Sequence, residues 1–214
     1  MRRIMTTLIG LSILMAVMAA PAAAQEADTN WWGDKGYDNR GNLVEELLAL
    51  NEKTGRYDIL IEAVLFADTN SDVELVELLA TTPDVTLFAP TDRAFVKLAR
   101  NLTGDKTIRE GEAFDAIAGV LVDAGGDLEG AVELLLDTLS YHVAPQLIKP
   151  WQLFFHPYKY EMLNGDELVA NGLKLTDEAG NRSRVRLLRS NVKANNPALI
   201  HTINNVLIPS SLAG

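Results

Sequence analysis

Apolar residues recur at intervals of three and four along most of the chain between Asn42 and Tyr141, with polar residues between them. This spacing predicts a series of amphipathic helices. One short run, Val85 to Phe88, is mostly apolar and predicts a strand between two of the helices. Thr91 is then the predicted N-cap residue of the next helix. Asp92 follows it in the first turn, where a negative charge is favourable at the positive end of the helix dipole.

Two pairs of polar residues indicate where other helices begin. Asn42 is followed three positions later by Glu45, and Ser71 is followed in the same way by Glu74. Each pair matches the capping box, in which the first side chain accepts a backbone N–H and the second reaches back. We therefore expect helices to begin at Asn42 and at Ser71.

After Tyr141 the pattern changes to short alternating runs separated by turn residues. Asn164-Gly165, Asn171-Gly172 and Gly180-Asn181 are dipeptides typical of hairpin turns, so they predict a β-meander. A last segment, Leu199 to Ile203, predicts one more strand. Helices first and strands later indicate the α+β class rather than a regular alternation of strand and helix.

The N-terminal residues have the pattern of a secretory signal. Arg2 and Arg3 precede the apolar run Leu8 to Ala20, which is followed by small residues ending at Ala24. A basic start, a short apolar run and an A-x-A sequence predict a signal peptide over residues 1–24, cleaved before Gln25. The alternative is an uncleaved anchor helix, although the run is short for a membrane span. No later stretch is apolar for long enough to span a membrane, so we expect a secreted or periplasmic protein.

Composition and charge exclude several kinds of partner and site. The chain has 29 acidic and 19 basic residues and a net charge of −10. General nucleic-acid binding is not expected, because phosphate backbones require a basic surface. Without cysteine, disulfides and thiolate zinc sites are excluded. The three histidines, His142, His156 and His201, are too widely spaced in sequence to predict a metal site, and no sequence motif of a hydrolase or phosphate-binding loop predicts catalytic residues.

Three segments together resemble the fasciclin-like domain family. They are TLFAPTDRAF from Thr86 to Phe95, the trio Tyr141-His142-Val143, and IHTINNVLIP from Ile200 to Pro209. The segments occur in the family's order, and the resemblance covers residues 42–209. Residues 25–41 are then an N-terminal tail or strap, and residues 210–214 are a C-terminal tail.

The resemblance implies an α+β wedge with a β-sandwich-like core flanked by several helices. It also implies a role in extracellular or cell-surface adhesion, with no catalytic residues and no obligatory cofactor. In some members the Tyr-His pair is linked to partner binding, which makes Tyr141 and His142 candidate contact residues. The alternative is that His142 is a buried imidazole bonded to the backbone, and its apolar neighbours favour this alternative.

Arg182, Arg184 and Arg186 alternate with less polar residues. On a strand, three side chains with this spacing share one face. They form a candidate site for an anionic polysaccharide or an acidic cell-surface protein, since arginine makes bidentate contacts with carboxylates and sulfates. The alternative is a strand edge that charge protects from aggregation. Lys97 and Arg100, on the helix after the FAPT sequence, are expected to contribute little to such binding.

The segment from Trp151 to Tyr160 is unusually aromatic. As an exposed surface it would bind an apolar ligand or partner, and the alternative is a loop that covers the core. The candidate ligand residues are Trp151, Phe154, Phe155, Tyr158 and Tyr160. Some fasciclin-like proteins bind carotenoid pigments, so the resemblance implies a carrier of a small apolar ligand as the second function. The first is a secreted, non-catalytic adhesion or matrix-contact module that binds protein or polysaccharide.

Overall fold

The computed structural model describes residues 42–154, 157–192 and 198–213, and from 187 to 192 it describes the backbone alone. The predicted signal peptide, the tail from 25 to 41 and Phe155 lie outside this part of the chain. Within the described ranges, no helix is both long enough and apolar enough to cross a membrane.

The first half of the described chain is helical apart from one strand. Apolar faces pack the helices together in a core that includes Leu60, Phe95 and Leu135, as the predicted amphipathic spacing requires. The α-helices of the described residues are α1 (Leu43–Thr54), α2 (Asp58–Asn70), α3 (Leu75–Thr81), α4 (Asp92–Thr103), α5 (Glu110–Gly125) and α6 (Leu128–Ser140). Single turns of 3-10 helix follow at Pro150–Leu153 and Ser210–Leu212.

A seven-stranded mixed sheet forms the other layer. Its strands are β1 (Val85–Pro90), β2 (Val143–Ala144), β3 (Tyr158–Glu161), β4 (Glu167–Asn171), β5 (Lys174–Thr176), β6 (Arg182–Val192) and β7 (Ala198–Ile203). Their spatial order is β2-β1-β7-β6-β5-β4-β3. Strands β1 and β7 are parallel, and the other neighbours are antiparallel. Helices on a mixed sheet confirm the predicted α+β class.

Strand β6 joins the two parts of the sheet. It has 11 residues, pairs with β5 near its start and with β7 over most of its length, and is irregular between Arg186 and Ser190. The backbone N of Leu163, just after β3, donates to the carbonyl oxygen of Val143 in β2 at 2.7 Å. The two ends of the strand order therefore meet, and the sheet nearly closes around a second core that contains Phe88 and other buried residues.

The predicted β-meander is confirmed, because β3, β4, β5 and β6 pair in succession. Gly172 adopts a φ of +63° in the turn between β4 and β5, a left-handed conformation that glycine tolerates best. Only Gly172 and Leu173 separate the two strands. So short a turn fixes the pairing register of β5 and, through it, of β6.

One of the two predicted capping boxes marks a true helix start. The side-chain Oδ1 of Asn42 accepts a hydrogen bond from the backbone N of Glu45 at 3.0 Å, directly before α1. The prediction for Ser71 is wrong, because α3 begins at Leu75. Ser71 instead follows the end of α2, where its hydroxyl accepts a bond from the N of Val73 at 3.2 Å. A hydroxyl that bonds two residues ahead stabilises a turn rather than a helix.

Candidate functional site

Tyr141 and His142 lie between α6 and β2, and both side chains are buried. Tyr141 Oη donates to the carbonyl oxygen of Glu167 at 2.8 Å. His142 Nε2 accepts from the backbone N of Leu207 at 2.9 Å, so the proton lies on Nδ1, which donates to the carbonyl oxygen of Thr138 at 2.7 Å. This is the buried, backbone-bonded imidazole of our alternative interpretation. Partner binding by the pair stays a prediction, and these contacts do not support it.

Burial also determines the charge of the two described histidines. It lowers the pKa of His142 to about 4, because the imidazolium form loses its hydration, and the bond to Thr138 only partly offsets this effect. His201 is likewise buried, its pKa is lowered for the same reason, and its Nε2 lies 2.7 Å from the carbonyl oxygen of Ile148. Both imidazoles are therefore neutral near pH 7 and offer no positive charge to a partner.

Arg182, Arg184 and Arg186 are exposed on one face of β6, while Ser183 and Val185 between them are buried. The spacing of the arginines thus places them as the alternation predicts. However, β6 lies between β5 and β7, so it is not an edge strand. Protection from edge-to-edge pairing, our alternative explanation, does not account for arginines on an interior strand.

Lys174 adds a fourth positive charge to this face. It is exposed on β5, and its Cα is paired with that of Arg184. Sequence analysis did not identify it, because its neighbour is known only once the register is known. Among the residues with described side chains, the ion pair found joins Lys159 and Glu167 on β3 and β4 and includes none of these four. We call Lys174, Arg182, Arg184 and Arg186 the arginine face.

The aromatic segment is divided between surface and core. Trp151 is 44% exposed, and Phe154 and Tyr158 are each 55% exposed. Tyr160 is buried at 3% exposure, with its ring centroid 4.7 Å from that of Tyr158. Tyr160 is therefore a core residue, which corrects its assignment to the apolar ligand surface. Of the four candidates with a described position, the other three are exposed.

Three carboxylates also converge where helices begin. Asp58, Asp92 and Glu110 are the first residues of α2, α4 and α5, and one oxygen of each lies within 4.8 Å of the others. Asp92 Oδ1 accepts from the backbone N of Ile59 at 3.0 Å, while Thr91, although it occupies the N-cap position, makes no side-chain cap. Burial raises the pKa of Asp92, and its acidic neighbours add to this shift. The group has the spacing of a metal site, but the helix dipoles stabilise each carboxylate without an ion.

Comparison with known proteins identifies a family for this chain and one similar solved structure. The family model described as fasciclin domain matches residues 62–209. Among solved structures, the FAS1 domain pair from the insect cell adhesion molecule fasciclin I is similar, with 13% identity and a TM-score of 0.39. The match covers 70% of this chain and 45% of that structure, so this chain spans less than half of its length. None of the curated proteins compared matches the sequence. With the family model matching well over half of its residues, the chain belongs to the fasciclin domain family.

Proposed function

We propose that this chain is an exported, non-catalytic adhesion or matrix-contact module that binds an anionic polysaccharide through the arginine face. Membership of the fasciclin domain family supports adhesion. The choice of an anionic partner rests on one observation: Lys174 on β5 is paired with Arg184 on β6, and both side chains are exposed. Like charges directly across a strand pair destabilise a sheet, so folding does not explain them. Two cations side by side suit a ligand that brings closely spaced carboxylates or sulfates.

The acidic balance of the chain does not oppose this proposal. Its net charge is −10, but salt at physiological concentration confines the field of each exposed group to about 8 Å. The charges within that distance of the arginine face therefore decide whether an anion binds there. Acidic side chains on distant helices have little effect on such a contact.

The test is retention on immobilised heparin, a sulfated polysaccharide, by the mature protein and by an R182S/R184S/R186S variant. We expect the unchanged protein to bind at low salt and to elute as salt rises, since salt screens the contacts. The triple variant should elute at clearly lower salt, and its melting temperature should not fall, because it removes exposed like charges that make no ion pair among the described side chains.

A matched control removes the same charge elsewhere. Lys53, Arg56 and Lys149 are exposed and lie outside the arginine face, so a K53S/R56S/K149S variant should stay bound. Equal losses from both variants would mean diffuse charge rather than a site. If heparin is not bound but polyglutamate is, the partner is an acidic protein, and the polysaccharide assignment is wrong.

A second candidate function is a carrier of a small apolar ligand. Trp151, Phe154 and Tyr158 leave aromatic surface exposed along one short segment, and grouped exposed apolar side chains mark ligand or partner sites. Protein purified from its own source should then show a visible absorbance band, which W151S/F154S should remove. A colourless protein that binds heparin supports the first function instead.

Export is the remaining part of the proposal, and the signal-peptide pattern that ends at Ala24 supports it. The intact mass of the exported protein should correspond to a chain that begins at Gln25. A full-length species found in membranes would contradict it.

A further inference from the structure

A groove of about 740 Å³ lies along α4 and the loop that leads to α5. Five basic residues line it: Arg93, Lys97, Arg100, Lys106 and Arg109. The first three are four and three positions apart on α4, so they lie on one face of the helix. The other two come from the loop. Glu110 is the acidic residue of the lining, and all five cations are exposed.

The clustering of these cations is unusual for the surrounding sequence. Between residues 42 and 141 there are 20 acidic and 7 basic residues, and five of those basic residues line this groove. Arg100 Nε and Nη2 donate to the carbonyl oxygen of Ile108 at 2.9 and 2.7 Å. This contact holds the loop, and with it Lys106 and Arg109, next to α4. Like charges held together in this way repel one another, and an anion in the groove would relieve that repulsion.

A single side chain connects the groove with the arginine face. Lys97 Nζ donates to Asn205 Oδ1 at 2.8 Å, and Asn205 Nδ2 donates to the carbonyl oxygen of Arg182 at 2.5 Å. Asn205 lies in the bend that directly follows β7, and its side chain bonds to both α4 and the start of β6. Asn205 therefore links Lys97 of the groove to the backbone of Arg182, the first residue of the arginine face on β6.

We infer that the groove is a second anion-binding subsite and that one linear acidic polysaccharide chain occupies both it and the arginine face. This inference rests on the proposed function and adds the length of the ligand to it. A chain that reaches both subsites binds the second one intramolecularly, so its affinity exceeds that of a fragment confined to one. Lys97 and Arg100 both line the groove, so this inference predicts a larger contribution from them than the sequence led us to expect.

The experiment compares a heparin-derived disaccharide with a long heparin chain. For the unchanged mature protein we expect the long chain to bind at least about tenfold more tightly than the disaccharide, through the effective concentration at the second subsite. A K97Q/R109Q variant should lose most of this advantage of length and still bind the disaccharide at the arginine face. Glutamine keeps an uncharged hydrogen-bond donor at position 97, and Arg100 is left in place because it holds the loop.

The control variant K53Q/R56Q removes two exposed charges outside the groove and should keep the full advantage of length. Circular dichroism should show that both variants remain folded. If K97Q/R109Q keeps the preference for long chains, the groove is not a subsite and the inference is wrong, although the arginine face could still bind. If neither ligand binds the unchanged protein, the proposed function fails first.

Discussion

The Tyr141-His142 pair and the three arginines of the arginine face were both candidate partner sites in the sequence, yet the fold places them in opposite surroundings. Both members of the pair are buried, and hydrogen bonds to backbone atoms satisfy them. The three arginines are exposed, and among described side chains none has a carboxylate partner. A sequence motif shows that a residue type recurs in a family, but only its surroundings show whether it stabilises the fold or meets a ligand.

Lowering the pH should give the largest difference between the two regions, because it should lower the free energy of unfolding through His142 but leave the arginine face charged. Because the folded-state pKa of His142 is about 4 against an ordinary value of 6.5, the unfolded chain binds the proton more tightly between these values. Stability is then full above pH 6.5 and falls as pH drops, by up to about 3 kcal/mol near pH 4. His201 acts in the same direction. The buried carboxyls of Asp92 and Asp177, whose pKa values are raised, oppose it.

Urea unfolding at steps from neutral to about pH 4 measures this slope, and an H142Q variant, which cannot take up the proton, should flatten it. Heparin retention at the same steps should not weaken while the protein stays folded, because arginine keeps its charge throughout. An unchanged slope in the variant would mean that His142 is not enclosed as described.

A somewhat smaller effect is expected when His142 is replaced by alanine. The change leaves the backbone N–H of Leu207 and the carbonyl of Thr138 without the imidazole that bonds both. Leaving buried polar groups unpaired costs about 1–3 kcal/mol, which chemical denaturation should detect as a lower free energy of unfolding. Heparin binding should be retained by the folded fraction. Unchanged stability with lost binding would restore the partner role that the resemblance implies.

Local patterns predicted the parts of the fold that depend on neighbours in sequence. Each of the three turn dipeptides contributes to a connection of the meander, although Asn171 itself is the last residue of β4, and Asn42 caps α1. Such signals act over a few residues, because a turn or a cap needs only a φ value or one side-chain acceptor. Ser71 shows their limit, since the same residue type also stabilises turns outside helices.

The contacts that no local pattern could predict join distant parts of the chain. Tyr57 Oη lies 2.5 Å from Thr202 Oγ1, 145 residues away, and Asn205 contacts both α4 and β6. The groove was missed although its α4 members follow helical spacing, because Lys106 and Arg109 reach it only through the loop that Arg100 holds. The sequence alone thus predicts which residues carry charge, but not which charges become neighbours.

The smallest effect, and the most specific one, concerns Lys174. If the arginine face exists to bind an anion, its like-charge pair should lower stability while raising affinity. Replacing Lys174 with threonine removes the repulsion from Arg184 and places a good strand former at an exposed strand position, so the free energy of unfolding should rise by about 0.2–1 kcal/mol. Retention on heparin should weaken, because one of the four cations is gone.

Lys159 provides the contrast, since it is exposed on β3 and paired with Glu167 at 2.5 Å. There K159T should lower stability slightly, as an exposed ion pair contributes less than about 1 kcal/mol, and leave retention unchanged. A rise in the free energy of unfolding of K174T together with weaker heparin retention would show that Lys174 serves the ligand at a cost in stability. A loss of both would make Lys174 an ordinary structural residue, and the pair with Arg184 would no longer support a binding site.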